Sequence, residues 1–251
     1  TKVLVDANKK VTGVVTADGE TIEADVVVSN INARKLYLDL IGEEHLKPIV
    51  RKGIKSYALS KSTPYICLGV DYDPPLDAHH TLVTRDVDEI NEFWWEKYRI
   101  GIVPKPEEQF GLICCPTKTD SSLAPKGHHI VALDFQGPSK LASGTWDDIK
   151  EEFSESLVDY LSQKIIPGLK EHVKTMVVST PLDFERRLGN PGGAFYCFQQ
   201  DLTAQVVFRP ASKSKSIKGL YLTGASTHPG GGVPTVMASG VIAANQIVEY
   251  K

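Results

Sequence analysis

The sequence predicts a mixed fold, α/β in character at its two ends and α+β between them. Three observations carry this. Near the start, the β-branched triplet Val26-Val27-Val28 has the unbroken apolar character of a strand buried on both faces, as in a parallel sheet. Near the end, a short apolar strand at residues 220–223 runs through a glycine-rich turn into a helix at about residues 234–249. Between them, paired strands and an amphipathic helix sit in a mixed run of helix and strand.

Composition sets loose bounds. The 251 residues are 41% apolar and 24% charged, which is ordinary for a globular protein. That length holds one large domain or two small ones. A formal net charge of −3 and the lack of a long basic run give no case for nucleic acid. No apolar stretch is long enough to span a bilayer, and no signal-peptide pattern is present. The four cysteines contain no CxxC, and Cys114-Cys115 lie in an apolar run. They read as reduced, buried thiols in a cytoplasmic setting. The adjacent pairs His79-His80 and His128-His129 do not read as a metal site, because neighbours on a strand point to opposite faces.

In chain order, Val3-Leu4-Val5 and residues 11–16 read as strands. Asp18-Gly19 is a hairpin signal leading to Thr21-Ile22-Glu23. The triplet strand ends at Ser29-Asn30, and Asn30 or Asn32 caps a helical pattern from Ala33 to Ile41. Residues 43–52 read as a short helix, and residues 64–71 as a strand. Asp86-Val87-Asp88-Glu89 resembles a capping box opening a helix with Ile90, Phe93, Trp94 and Tyr98 on one side. Of Trp94-Trp95, one is expected in the core; an apolar substrate tunnel or a membrane surface is the alternative use. Residues 110–115 and 130–135 read as paired strands. Thr145 with Asp148 caps a helix whose buried face is Ile149, Phe153, Leu157, Tyr160, Leu161 and Ile165. Residues 176–179 form a further strand. Asn190 to Gly193 read as a turn whose backbone can approach something large and flat.

The glycine-rich turn near the end is Gly224-Ala225-Ser226-Thr227-His228-Pro229-Gly230-Gly231-Gly232-Val233-Pro234. Three successive glycines let backbone approach a ligand that a side chain would block. Pro234 suits a first helical position, and the free N–H groups of that turn favour a phosphate or a carbonyl gathering negative charge. The same residues also fit a tight connection with no ligand. In the helix that follows, Gly240 suggests close packing on a sheet.

Together with Leu220-Tyr221-Leu222, that run resembles the C-terminal flavin-binding signature of the phytoene dehydrogenase family of carotenoid desaturases, isomerases and retinol saturase-like flavoproteins. Two further runs resemble the same family: Pro116 to His128, with its Asp120, Ala124-Pro125 and Gly127, and Thr180-Pro181 to Glu185 followed by Gly189-Asn190 and Gly193. The resemblance implies the second half of an FAD/NAD(P)-binding, glutathione-reductase-like flavoprotein with a mixed or antiparallel-sheet substrate domain. The GxGxxG βαβ unit that opens such proteins is absent from this sequence, so the missing N-terminal half is an expected partner. It implies residues 1–35 and 217–251 in the FAD-binding domain and 36–216 in the substrate domain. FAD would contact Ser29, Asn30, Gly224, Ala225, Ser226, Thr227, His228, Gly231, Gly232, Val233 and Pro234, with weak or no binding by this chain alone. Asn190, Gly192, Gly193 and Trp94 would face an apolar polyene or isoprenoid, whose carbon–carbon bond exchanges a hydride with flavin. His228 is the one titratable group of the motif, either a proton acceptor or a structural residue of the turn. Peripheral membrane contact fits such a substrate. Two other readings stay open: a non-catalytic module binding an isoprenoid or partner, and a flavin amine-oxidase relative, which would not be expected to share the proline-rich loop.

Overall fold

A computed structural model of the chain describes residues 1–201 and 209–249. They form two units, one of Thr1–Lys61 with Glu185–Lys251 and one of Ser62–Phe184. Residues 36–61, 185–201 and 209–216, expected with the middle domain, therefore belong with the first unit. The reason is burial: Leu36, Tyr37, Ile41 and Ile54 share one apolar core with Val3, Val11, Leu220 and Leu222. Residues 202–208 of the expected middle domain and 250–251 of the expected C-terminal segment lie outside the described residues.

The first unit opens with β1 (Lys2–Val5), β2 (Val11–Val15) and β3 (Thr21–Glu23), an antiparallel sheet in sequence order. Asp18-Gly19 makes the expected hairpin turn, closed by Thr16 N–H donating to the Glu20 carbonyl at 2.9 Å. Next come β4 (Val27–Ser29) and α1 (Ala33–Lys35). Asn32 is the cap, its Oδ1 accepting the Arg34 N–H at 3.0 Å. The helix continues as a π-helical turn, Leu36–Ile41. The helix expected over residues 43–52 is broken: Glu43–His45 is a single 3-10 turn, and α2 (Pro48–Ser56) starts afresh. Proline holds the preceding Lys47 extended, which stops a helix from running through.

The second unit contains β5 (Tyr65–Val70), β6 (His80–Val83), α3 (Val87–Glu92), β7 (Gly111–Cys114), β8 (His129–Phe135), α4 (Trp146–Lys164) and β9 (Val173–Ser179). The strands form one antiparallel sheet, ordered β6-β7-β8-β5-β9. Alternation puts Ile66, Leu68, Ile113, Val131, Leu133 and Phe135 on one face, against Phe153, Leu157 and Leu161 of α4. Each such side chain contributes roughly 1.5–3 kcal/mol when fully buried. The predicted cap of α4 is present: Asp148 Oδ2 accepts the Thr145 N–H at 2.7 Å and its hydroxyl at 2.8 Å. At the start of α5 (Pro181–Leu188), Thr180 donates its N–H and its hydroxyl to Asp183, each at 2.9 Å.

The chain then supplies the first unit with β10 (Leu220–Leu222) and α6 (Val233–Val248). β10 runs parallel to β4, with Leu220, Tyr221 and Leu222 opposite Val27, Val28 and Ser29. The expectation that the triplet strand is buried on both faces is corrected: Val28 is 51% exposed. Among the described residues β4 has a strand partner on one side only.

Candidate functional site

Parallel pairing brings the carboxyl ends of β4 and β10 side by side. Thr223 N–H donates to the Ser29 carbonyl at 2.9 Å, and the chain turns at Gly224 with φ +82°. A Cβ on Gly224 would touch Asn30. The turn is latched from two sides. Ser239 of α6 accepts the Gly224 N–H through its hydroxyl at 2.8 Å, and Ser226 accepts the Ala33 N–H at 2.8 Å. Thr227, fully buried, donates its hydroxyl to the Pro210 carbonyl at 2.6 Å. The Ser226 and Thr227 side chains are thus spent on the protein itself, as is the Ser29 hydroxyl, which accepts the Ile31 N–H at 3.3 Å. Asn30 and His228 are exposed.

The glycine run leads into the start of α6. Gly230 and Gly232 have φ of +121° and +108°, values that L side chains rarely adopt. A Cβ on Gly231 would collide with the Tyr196 ring. No side chain caps α6, and Thr235 turns its hydroxyl back to the carbonyls of Gly231 and Gly232, 2.7 Å from each. Pro234 lacks an N–H, so the N–H groups left in the first turn stay on the positive end of the helix dipole. Val233 and Pro234 are exposed beside it. The pattern of backbone shape and helix dipole fits the edge of a flat group with a carbonyl that can take negative charge.

Gly240 does not pack closely. A Cβ there would meet nothing within 4 Å. The α6 face that meets the rest of the unit is that of Ser239 and Ala243, both buried. The opposite stripe is apolar and bare, with Val233 72%, Met237 68% and Val241 62% exposed.

Sequence reasoning missed the support under the turn. Arg209 is buried, and its guanidinium donates to the carbonyls of Ala225 (Nε at 3.2 Å), Tyr196 (3.1 Å) and Phe198 (3.4 Å). Burial lowers its proton affinity, and Cys197 and Tyr57 act in the opposite direction. Cys197 is buried at φ +60°, and burial pushes its thiol up against the pull of Ser226, Arg209 and Asn32. A lone arginine and a lone cysteine carry no periodic signal, so nothing in the sequence singles them out.

The four substrate-facing candidates do not fall in one unit. Asn190, Gly192 and Gly193 form a 3-10 turn of the first unit, closed by Asn190 Nδ2 donating to the Ala194 carbonyl at 3.2 Å. Trp94 belongs to the second unit, on a π-helical turn (Phe93–Lys97), clustered with Phe93, Tyr98 and Phe110 at centroid distances of 5.0, 4.7 and 6.1 Å. Trp95 is 67% exposed, with Arg99 over its ring. Among the described residues no group of three or more His, Cys, Asp or Glu is placed to hold a metal ion, and no helix is long and apolar enough to cross a membrane.

A parallel strand pair opening through a glycine turn into a helix is the grammar of nucleotide-binding α/β folds. The crystal structure of an oxidoreductase from Methanosarcina mazei superposes with a TM-score of 0.56 at 18% identity, covering 100% of this chain and 48% of that one. The family model for flavin containing amine oxidoreductases matches residues 1–248, and the chain belongs to that family. It is 30% identical over 237 residues to a lycopene-forming phytoene desaturase of Paracoccus sp., covering 92% of this chain and 45% of the relative. It is 29% identical over 258 residues to a chloroplastic prolycopene isomerase of Daucus carota, covering 98% and 39%. The chain therefore spans less than half the length of these relatives.

Proposed function

We propose that the chain is the C-terminal half of an FAD-dependent oxidoreductase that exchanges a hydride between flavin and a carbon–carbon bond of an apolar polyene or isoprenoid. The observation that carries this is the turn from Gly224 to Pro234, which runs through three successive glycines into a helix with no side-chain cap. Bound flavin would supply the hydride acceptor or donor. In this chain, Gly231 accommodates the Tyr196 ring, Gly232 supplies the positive-φ entry to the helix, and the first-turn N–H groups of α6 stabilise negative charge at the flavin edge. Ser226, Thr227 and Ser239 hold the turn in that shape through the bonds described above.

The first unit is the flavin side and the second the substrate side in this reading. The bare stripe of α6 and the open side of β4 then accept the preceding part of the fold, the glycine-rich βαβ unit that holds the dinucleotide. Support comes from the exposed Val28, Met237 and Val241 and from relatives about twice as long. The substrate class rests on the polyene enzymes among the relatives.

The test is co-expression with the upstream half, followed by anaerobic mixing with an apolar polyene. Bleaching of the visible flavin band by the polyene is the expected result. Bleaching by a primary amine and not by the polyene would replace this reading with an amine oxidase.

A further inference from the structure

The β5–β9 sheet has a second face, away from α4. Its register places two rows of side chains there, each crossing all five strands. One row is Ser179, Tyr65, Asp134, Leu112 and Leu82; the other is Val177, Cys67, Ala132, Cys114 and His80. At about 4.8 Å per strand the rows are roughly 19 Å long. They hold no lysine or arginine, and His80 stands at one end. Leu82 and Val177, on the two edge strands, are 71% and 63% exposed. Phe110, next to β7, ties the face to the Trp94 cluster. Asp134 is central, cross-strand from both Tyr65 and Leu112, and Thr63 donates its hydroxyl to Asp134 Oδ1 at 2.6 Å.

We propose that these rows form a binding wall for an uncharged, extended apolar chain, and that Asp134 is its specificity-determining residue, which accepts that chain only while its own carboxyl is neutral. The proposal rests on the polyene reading above for the ligand class and adds where the ligand lies and what gates it. A face without cations offers nothing to an anionic ligand, and burying an ionised carboxylate under hydrocarbon is costly. Burial already raises the proton affinity of Asp134, with Thr63 opposing. The groups around it are Thr63, Tyr65, Cys67 and Cys114. Burial raises Tyr65 and both thiols as well, and Asp134 adds to the shift of Tyr65 and Cys114. Burial thus works in one direction on all four groups, towards the protonated form. A ligand laid over it deepens the burial, so binding takes up a proton and affinity falls as pH rises through the carboxyl's pKa.

The test uses the whole chain without flavin and the hydrocarbon probe diphenylhexatriene. Binding is read by fluorescence, and alkylation of each cysteine by N-ethylmaleimide is read by mass spectrometry. The expected result is that the probe slows alkylation of Cys67 and Cys114, with the buried Cys115 and Cys197 as internal references. Affinity is expected to drop ~tenfold or more across the carboxyl's titration as pH rises, and Asp134→Asn to remove the drop. Unchanged alkylation of Cys67 and Cys114 overturns the wall. An equal pH dependence in Asp134→Asn overturns the role of Asp134. Should that variant not fold, the pH dependence of alkylation protection in the unaltered chain decides: protection that does not weaken with rising pH overturns the role. The polyene reading is judged separately, by flavin bleaching, so either can fail alone.

Discussion

The five-stranded sheet of the second unit and the parallel strand pair of the first are built on different terms. The five-stranded sheet closes one face with α4 over a single large core. The parallel pair β4–β10 is three residues long in each strand, and its neighbour α6 turns an apolar stripe outward. One region holds its own hydrophobic payload; the other presents apolar surface suited to a partner. The glycine-rich turn proposed to face flavin sits in the unit that leaves apolar surface bare, and the other unit presents a broad sheet surface.

That contrast can be broken by substitution. The largest effect is expected from Leu133→Ala in the closed core of the second unit, a loss of about 2–5 kcal/mol read by chemical denaturation. A loss under about 1 kcal/mol, within the range of surface changes, would contradict the closed core. Gly231→Ala comes next, because its methyl group must displace the Tyr196 ring. We expect ~1–3 kcal/mol, confined to the first unit when followed by hydrogen exchange. Met237→Gln lies on the bare stripe and is expected to change the stability of this chain by no more than about 0.5 kcal/mol, yet to weaken capture of the upstream half in a pull-down. Unaltered capture would remove α6 from the docking surface.

The smallest effect sharpens the picture of the second unit's rim. Hydrogen bonds from Lys174 and His172 hold the Asp71 carboxyl down at about 2, against an ordinary 3.8. A depressed carboxylate adds stability that is present above its ordinary pKa and lost as pH falls through the folded one. Asp71→Asn should therefore lower the melting temperature slightly at neutral pH, and the difference should vanish near pH 2. A difference that persists there would mean the side chain acts through packing.

What the sequence made legible was mostly local. The Asp18-Gly19 hairpin, the Thr145–Asp148 cap, the pairing of β7 with β8 and the strand–turn–helix at the end each depend on residues close together in the chain. The unit boundary was not legible, because it is set by which apolar side chains share a core, and Leu36 and Ile54 join Leu220 from far away in the chain. Three supports of the turn were hidden for the same reason: Arg209 on three carbonyls, Cys197 at positive φ and Tyr196 against Gly231. Gly240 misled because a glycine in a helix marks close approach only where something approaches.

The central claim is that this chain contributes the flavin-facing turn and lacks the dinucleotide cradle. A visible absorption spectrum tests it most directly, taken on the purified chain after incubation with FAD and desalting, with its mass verified. The account predicts no retained flavin band for the chain alone and a retained band once the upstream half is supplied. A stoichiometric band on the chain alone would contradict it.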